Sequence, residues 1–436
     1  MEEKFLYHIW DAGHLLTPLK TVSGKTLQVS YQGQYNTNRG PDFRNVIVSL
    51  DGEILRGDVE IHINSYDWNA HEHHEDPHFN NVILHVVMNA GKQQITIKQN
   101  GETAEILELK DQLSEDIRKL LESPLVPSGE DRSTYCELLS AIDNDRLLSI
   151  LANWGLRRFK NKVRRFNASL LLSDFDQVFY EGVMEALGYD KNKQNMLSLA
   201  QTVHLKSIRS WQEQGMTPLE LVAIFCCASG LLDKSQNRLE GSLLELLRQT
   251  YERQKFYARK LDLPWQLFRI RPGNHPIYRI FAMGSLIART SEQSFLNYFL
   301  DQFETGSFQG GKSRSSFARS FAQSTLPGAE KLPKLGQGLI SSIFVNIFLP
   351  ISYMYYDKHG DAASQQRVMA VYADFPALQE NHITRFMGRY MSATHSKLAN
   401  SKTIYQQGLI EIFHRFCHYH LCAECVNSIT EEAPRP

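Results

Sequence analysis

The spacing of apolar residues changes near Lys110. Before this point, apolar and polar residues alternate in short runs rich in β-branched side chains, which is typical of half-buried strands. The turn signals Asp51-Gly52, Ala90-Gly91 and Asn100-Gly101 separate several of these runs. We predict six strands, in the segments TLQVSYQ, NVIVSL, EILRGDVEIHI, NVILHVVM, QQITIKQ and AEILELK.

Apolar residues recur at intervals of three and four in two other regions. The first is the N-terminal segment Glu2–Leu16, and the second starts near Asp143 with DRLLSILANWGLRRFKNKVRRF. This spacing predicts helices. We therefore predict an α+β protein, with a small mixed β-sheet domain over residues 1–122 and a large, mostly α-helical domain over residues 134–436. The segment SPLVPSGEDRS between them has the composition of a linker.

Composition and charge limit the classes of protein. The chain has 436 residues and a net charge of -1, so an anionic partner must meet a local patch of cations. The longest apolar stretch, Leu339–Tyr356, is interrupted by Asn346 and Pro350, so we expect no membrane partner. The acidic start lacks the basic region of a signal peptide, and 6 cysteines are too few for a disulfide framework. These features predict a cytoplasmic, reduced protein.

Two acidic residues and a histidine occupy β-type segments. Asp58, Glu60 and His62 alternate, so they share one face of a strand, and Asp42 begins the preceding strand. A tight turn at Asp51-Gly52 would make these strands antiparallel neighbours and bring Asp42 close to Glu60. Two adjacent carboxylates repel unless a cation lies between them or one is protonated. The pattern predicts a Mg²⁺ or Mn²⁺ site, and the alternative is a solvated sheet face.

Gly40-Pro41-Asp42 followed by Glu60-Ile61-His62 resembles the motif of the PD-(D/E)xK nuclease superfamily. The resemblance implies a restriction-endonuclease-like core over about the first 110 residues. It also implies that Asp42 and Glu60 hold a metal ion, with His62 at the position of the catalytic lysine. Over nearly its full length, the chain resembles an uncharacterised bacterial family catalogued as a domain of unknown function, through GPDF, GDVEIH, the histidine stretch, NVILHVV and the C-terminal cysteines.

The chain differs from the nuclease motif in having His62 in place of lysine, and it offers one further acid on the first helix. Lysine is a permanent cation, whereas a histidine is cationic only below its ordinary pKa of about 6.5. Some members of the superfamily carry an extra acid on the first helix, and the resemblance places Glu2 or Glu3 in that role.

A second candidate for metal binding is the stretch HEHHEDPH, which holds four histidines and three acids over residues 71–78. We predict His71, His74 and His85 as metal ligands. His71 and His74 are spaced to share a helical face, and His85 is expected on a strand beside Glu60 and His62. Imidazoles together with carboxylates favour Zn²⁺, Mn²⁺ or Fe²⁺ over Mg²⁺ alone. The alternative is a polar surface loop.

Three cysteines lie close together near the C-terminus. Cys417, Cys422 and Cys425 fall within nine residues, and a C-x2-C pair is a common way to present two thiolates to one metal ion. Cys136 or a nearby histidine is the candidate fourth ligand. We predict zinc or an iron–sulfur cluster at this position. The alternative is a set of partly buried thiols on a terminal helix.

The segment RRFKNKVRRF supplies the local basic patch that a neutral chain needs to bind nucleic acid. Helical spacing puts Arg157, Lys160 and Arg164 on one face. The alternatives are a solvated face and pairing with acidic residues.

These features together predict a metal-dependent nuclease or phosphodiesterase that acts on nucleic acid, with Asp42, Glu60 and His62 as catalytic residues. One alternative is a noncatalytic nucleic-acid or protein-binding module on a nuclease-like fold. The other is a small-substrate metallohydrolase that uses the histidine cluster.

Overall fold

The computed structural model describes residues 3–114, 141–235, 238–254, 257–305, 317–321 and 331–422, together with Ile117, Leu326, Glu424, Cys425 and Ser428. The chain forms two compact units. The first unit comprises Met1–Leu172 and Glu380–Pro436, and the second comprises Ser173–Gln379. The predicted linker between the two domains lies outside the described residues.

The first unit contains one eight-stranded mixed sheet. Its strands are β1 (Leu19–Lys20), β2 (Thr26–Tyr31), β3 (Gln34–Tyr35), β4 (Phe43–Leu50), β5 (Glu53–Asn64), β6 (Val82–Asn89), β7 (Ile95–Ile97) and β8 (Thr103–Glu108). The order is β1-β2-β4-β5-β6-β8-β7, with β3 beside β4. β4 and β5 are antiparallel, whereas β5, β6 and β8 run parallel to one another. All six predicted strands are present, and the α+β class is confirmed.

The helices are α1 (Glu3–Ala12), α2 (Asp67–Ala70), α3 (Asn144–Ser169), α4 (Phe175–Leu187), α5 (Tyr189–Thr202), α6 (Leu205–Glu213), α7 (Pro218–Ala228), α8 (Leu231–Lys234), α9 (Gly241–Gln254), α10 (Pro276–Arg289), α11 (Phe295–Thr305), α12 (Gln337–Ile343), α13 (Leu349–Lys358), α14 (Ala362–Asp374), α15 (His382–Gly388), α16 (Ala393–Ala399) and α17 (Thr403–Ile412). A π-helical turn, Phe344–Phe348, connects α12 to α13, and another, Phe413–Cys417, follows α17. Short 3₁₀ turns occupy Pro77–Phe79 and Pro272–Asn274.

The core of the first unit joins the sheet to helices from both ends of the chain. The buried residues of α1 belong to the same apolar cluster as Val59 and Ile61 of β5 and as residues of α3 and α17. Two glycines allow α3 and α17 to approach closely. A Cβ on Gly155 would collide with the carbonyl oxygen of Ile404, and one on Gly408 with that of Leu151. The helices that follow the sheet in sequence therefore divide between the two units.

The second unit is helical in its described part and has a core rich in phenylalanine. The ring of Phe299 on α11 lies 5.2 Å from that of Phe179 on α4 and 5.0 Å from that of Phe317. In the described part of the chain, Gln337–Lys358 is the one helix long and apolar enough to cross a membrane. Some 72% of its most apolar window is buried inside the protein, as in the core helix of a soluble protein.

Candidate metal centre

The hairpin of β4 and β5 positions the two predicted carboxylates. Asp51 and Gly52 both have left-handed backbones, with φ of 49° and 92°, as the two-residue turn between antiparallel strands requires. Asp42 precedes β4. Its N–H donates to Glu60 Oε2 at 3.1 Å, and its own Oδ2 accepts from the N–H of Ile61 at 3.0 Å. The predicted proximity of Asp42 and Glu60 is confirmed.

Three histidines gather beside Glu60. The Nε2 atoms of His73 and His62 lie 3.2 Å and 3.6 Å from Glu60 Oε1, and His71 Nδ1 lies 3.1 Å from His62 Nε2. The ligand atoms of His62, His71 and His73 lie within 4.8 Å of one another, the only such group of three in the described part of the chain. His62 is buried and His71 is exposed, so the group opens to solvent on one side. We refer to Glu60, His62, His71 and His73 as the histidine–carboxylate cluster.

His85 contacts this cluster from the neighbouring strand β6, as predicted. Its Nε2 lies 2.9 Å from His62 Nδ1, and its Nδ1 lies 2.9 Å from Thr96 Oγ1. If His62 Nε2 is to bind a metal ion, that atom must carry a lone pair, so the proton sits on Nδ1 and is donated to His85. His85 then carries its proton on Nδ1 and donates it to Thr96. The chain from Thr96 to His62 is compatible with the ligand tautomer of His62, and in that tautomer His85 would act as a positioning residue.

The segment between β5 and β6 is fixed by an aromatic anchor. Trp68 on α2 is fully buried, and its indole N–H donates to the carbonyl of Ile97 at 3.1 Å. The ring of His73 stacks on Phe79 at 3.9 Å and lies 5.4 Å from the ring of Trp68. Glu72 has a left-handed backbone, with φ of 61°, which places His71 and His73 on either side of a turn. These contacts hold His73 over the sheet.

Burial sets the protonation of the site. Burial and then the Glu60 carboxylate raise the pKa of Asp42 to about 8. Burial also raises the pKa of Glu60, and the Glu3 carboxylate adds to this shift. Burial, followed by the neighbouring imidazoles, lowers the pKa of His62 to about 2, and burial lowers that of His85 to about 3. Without a cation the carboxyls therefore keep a proton near neutral pH, while both histidines are neutral.

The structure separates some predicted ligands from the cluster. His74 Nε2 lies 3.5 Å from Glu75 Oε1, outside the group of three histidines. Its predicted helical pairing with His71 does not form, because turns rather than a continuous helix follow α2. Asp76 Oδ1 lies 2.7 Å from His78 Nδ1, so this carboxylate contacts a histidine outside the cluster.

Several residues at the site were not predicted as ligands or supports. His73 was overlooked because helical spacing favours His74, and only the backbone at Glu72 decides between them. Tyr7 of α1 hydrogen-bonds Asp42, and its hydroxyl pKa is raised by burial and by that carboxylate. Glu3 also lies close enough to the site to affect the pKa of Glu60. Glu3 differs from the others, because the nuclease resemblance named Glu2 or Glu3 as the extra acid on the first helix. No sequence signal pointed to Thr96.

The C-terminal cysteines do not form a group of metal ligands among the described residues. Cys417 Sγ lies 3.9 Å from Met387 Sδ, and both Cys417 and Cys425 pack against the apolar core of the first unit. Cys422 is partly exposed. Cys136 lies outside the described residues, so a zinc or iron–sulfur site that includes it stays a prediction.

The predicted basic face lies on α3. Arg157, Lys160 and Arg164 are exposed, and Arg157 stacks over the ring of Trp154 at 5.0 Å. Two other cations of α3, Arg158 and Lys162, face the interior of the first unit instead. Arg158 forms an ion pair with Glu411 of α17 at 3.2 Å, and burial lowers the pKa of Lys162 well below its ordinary value. The exposed and buried cations thus follow the helical periodicity.

Comparison with known proteins gives a family but no activity. No curated protein and no solved structure matched the chain. A family model described as "Protein of unknown function (DUF2851)" matches residues 3–382, which include the whole sheet and the histidine–carboxylate cluster. The chain therefore belongs to the DUF2851 family of proteins of unknown function.

Proposed function

We propose that this protein is a metal-dependent phosphodiesterase that acts on nucleic acid in the cytoplasm. The observation that carries the proposal is the convergence of Glu60 Oε1 with the Nε2 atoms of His62 and His73, at 3.6 Å and 3.2 Å, beside the half-buried Asp42. Buried carboxyls and neutral imidazoles in one open cluster are the donors that a divalent cation takes in a catalytic site.

The donor set favours a transition metal over Mg²⁺. Three imidazole nitrogens with carboxylate oxygens suit Mn²⁺, Fe²⁺ or Zn²⁺, whereas Mg²⁺ prefers oxygen ligands. Such an ion, when bound, lowers the pKa of a coordinated water and stabilises negative charge on phosphate. Glu60, His62, His71 and His73 would hold the ion. Asp42, hydrogen-bonded by Tyr7 and Ile61, would supply a further carboxylate beside it.

His62 fits the role of a ligand better than that of a lysine substitute. Its pKa is lowered to about 2 by burial, so it carries no positive charge at neutral pH. Its Nδ1 is engaged by His85, and its Nε2 faces Glu60 and His71. The PD-(D/E)xK resemblance supports Asp42 and Glu60 as metal ligands. Because His62 is neutral, another group must supply the positive charge that the superfamily's lysine provides.

Two observations bear on the substrate. The exposed cations Arg157, Lys160 and Arg164 provide a face that can contact backbone phosphates, which supports nucleic acid. The nitrogen-rich cluster supports the second candidate, a metallohydrolase of small substrates, because many such enzymes use histidine ligands. A noncatalytic binding module would need only the basic face.

The test is cleavage by the purified full-length protein. We expect metal-dependent hydrolysis of DNA or RNA, single- or double-stranded, with Mn²⁺, Fe²⁺ or Zn²⁺ more effective than Mg²⁺. Glu60→Gln should abolish it, and Glu75→Gln, an exposed acid in the same region, should not. Bis(p-nitrophenyl) phosphate tests the small-substrate candidate. Hydrolysis of that diester without nucleic-acid cleavage favours the second candidate, and no metal-dependent hydrolysis of either substrate contradicts both.

His62→Lys separates the two roles of His62. If His62 is a ligand, a lysine cation cannot replace it, and both metal content and activity should fall. Preserved activity with a flattened pH profile below about pH 7 would instead assign His62 the part of the superfamily's lysine. Metal analysis of the same variant shows whether lost activity reflects lost metal.

A further inference from the structure

The second unit contains a buried guanidinium that has no acidic partner among the residues that the structure describes. Arg279 on α10 is only 1% exposed. Its Nη2 donates to Asn274 Oδ1 at 2.7 Å and to the carbonyl of Gly273 at 3.2 Å. Its Nε and Nη1 are buried without a hydrogen-bond partner in the part of the chain that the structure describes. Buried charges are normally paired and hydrogen-bonded, so this arrangement calls for an anion.

Tyr189 forms the outer wall of this site. Its ring lies 5.3 Å from Arg279 Cζ, and its hydroxyl is 3.4 Å from Arg279 Nη2 and 3.5 Å from Asn274 Oδ1. The side chain is partly exposed, and the residue has a left-handed backbone with φ of 51°. A strained, non-glycine residue is often retained at a ligand site. The ring of Tyr189 therefore covers one side of the buried guanidinium.

The segment that leads into Asn274 adds positive charge. Residues 263–275, LPWQLFRIRPGNH, contain Arg269 and Arg271 and no acidic residue. Both arginines are exposed, and Arg269 has a left-handed backbone with φ of 54°. The segment is tied to α5 by Asn192, which exchanges hydrogen bonds of 2.9 Å and 3.1 Å with the backbone of Gln266. The segment is thus held in place and brings two exposed cations close in sequence to Asn274, which favours an anionic ligand.

We propose that Arg279, Asn274 and Tyr189 form a binding site for a phosphate group, closed by the side chain of Tyr189. The two unpartnered guanidinium nitrogens would donate to the phosphate oxygens, and the exposed arginines of the segment would attract the ligand. Asn274 holds the guanidinium in place through its Oδ1. This site lies in the second unit and does not depend on the histidine–carboxylate cluster.

Titration of the full-length protein with inorganic phosphate tests the site. The protein is first treated with a chelator so that phosphate cannot act through a metal ion, and NaCl matched in ionic strength is the reference. We expect saturable binding by calorimetry and a higher melting temperature in phosphate than in NaCl. Arg279→Lys should weaken binding by about tenfold or more, because lysine lacks the planar fork of donors. The control Lys260→Met removes an exposed cation of the same unit and should bind as the wild type does.

Asn274→Ala serves as a second variant because a change at a buried arginine can prevent folding. It removes a contact that orients the guanidinium and should also weaken phosphate binding while leaving the chain folded. A 5′-phosphorylated oligonucleotide that competes with phosphate would identify nucleic acid as the source of the phosphate group, and inorganic phosphate binding alone would identify a small ligand. Equal effects of phosphate and NaCl on the wild type, or equal binding by folded Asn274→Ala and the wild type, would overturn the proposal.

Discussion

The hydrogen-bonded chain from Thr96 through His85 to His62 gives a residue-scale test of ligand orientation. Thr96→Val keeps the shape of the side chain but removes the hydroxyl that accepts from the His85 N–H when His62 is in its ligand tautomer. Loss of such an outer contact typically lowers metal affinity by about 10- to 100-fold. It should also destabilise the protein by about 1–3 kcal/mol, because a buried donor loses its partner.

Competition with a metal-binding dye and chemical denaturation check both parts of this prediction. Thr103→Val, at an exposed position on β8, is the matched control and should change neither quantity. Wild-type metal affinity in a folded Thr96→Val protein would mean that His85 does not orient His62.

The raised pKa of the half-buried Asp42 predicts how stability varies with pH in chelator-treated protein. Its pKa is raised from 3.8 to about 8, so between these values the folded state keeps a proton that the unfolded state has released. Stability of the wild type relative to Asp42→Asn should therefore fall as the pH rises from about 4 to about 8. The slope can reach about 1.4 kcal/mol per pH unit.

Denaturation of both proteins at a series of pH values measures this difference. Comparison with Asp42→Asn is needed because the lowered pKa values of His62 and His85 give the opposite slope below about pH 6.5. A saturating divalent metal should reverse the trend, since binding releases the protons. A difference that does not vary with pH would show that the Asp42 pKa is ordinary.

The positions of Asp42, Glu60 and His62 could be predicted from local sequence patterns. Strand alternation predicts that Glu60 and His62 share a face, and the Asp51-Gly52 turn fixes the hairpin that brings Asp42 to Glu60. The choice of His73 over His74 did not follow, because it depends on one left-handed residue within irregular turns and on stacking against Phe79.

Among the elements, the close contact of α3 and α17 determines how the first unit is assembled. Gly155→Ala places a methyl group against the carbonyl of Ile404, so the added group collides with backbone atoms and not only with a side chain. We expect destabilisation of about 1–3 kcal/mol, as for other overpacked sites. Gly241→Ala, at the open start of α9, is the control and should be neutral or slightly stabilising. Denaturant midpoints of the two variants measure the effect, and equal midpoints would mean that the helices separate easily.

The helices themselves were predictable from their apolar spacing, but this contact was not. Residues 155 and 404 are far apart in sequence, and no local pattern pairs their helices. The packing of the C-terminal cysteines was not predictable for the same reason. Cys417 and Cys425 pack against the apolar core of the first unit, and the sequence spacing that suggests metal ligands is also that of thiols facing a core.

For the whole molecule, the apolar stretch near Pro350 belongs to a helix that is long and apolar enough to cross a membrane, and 72% of its most apolar window is buried inside the protein. The division of the chain into two units could not be predicted from the sequence pattern. The C-terminal residues belong with the N-terminal sheet rather than with the helices that precede them in sequence. Long-range packing of this kind depends on the complementarity of distant surfaces, which periodicity does not report.

We infer that His62, His71, His73 and Glu60 hold one metal ion. Elemental analysis after chelator-treated protein has been dialysed against Mn²⁺ or Zn²⁺ tests it most directly. We use His73→Gln, which removes a ligand that is not deeply buried, and His78→Gln, which removes a histidine paired with Asp76 outside the cluster. We expect about one ion per chain in the wild type and in His78→Gln, and a small fraction of that in His73→Gln. A wild type without metal, or a folded His73→Gln protein with as much metal as the wild type, would contradict this inference.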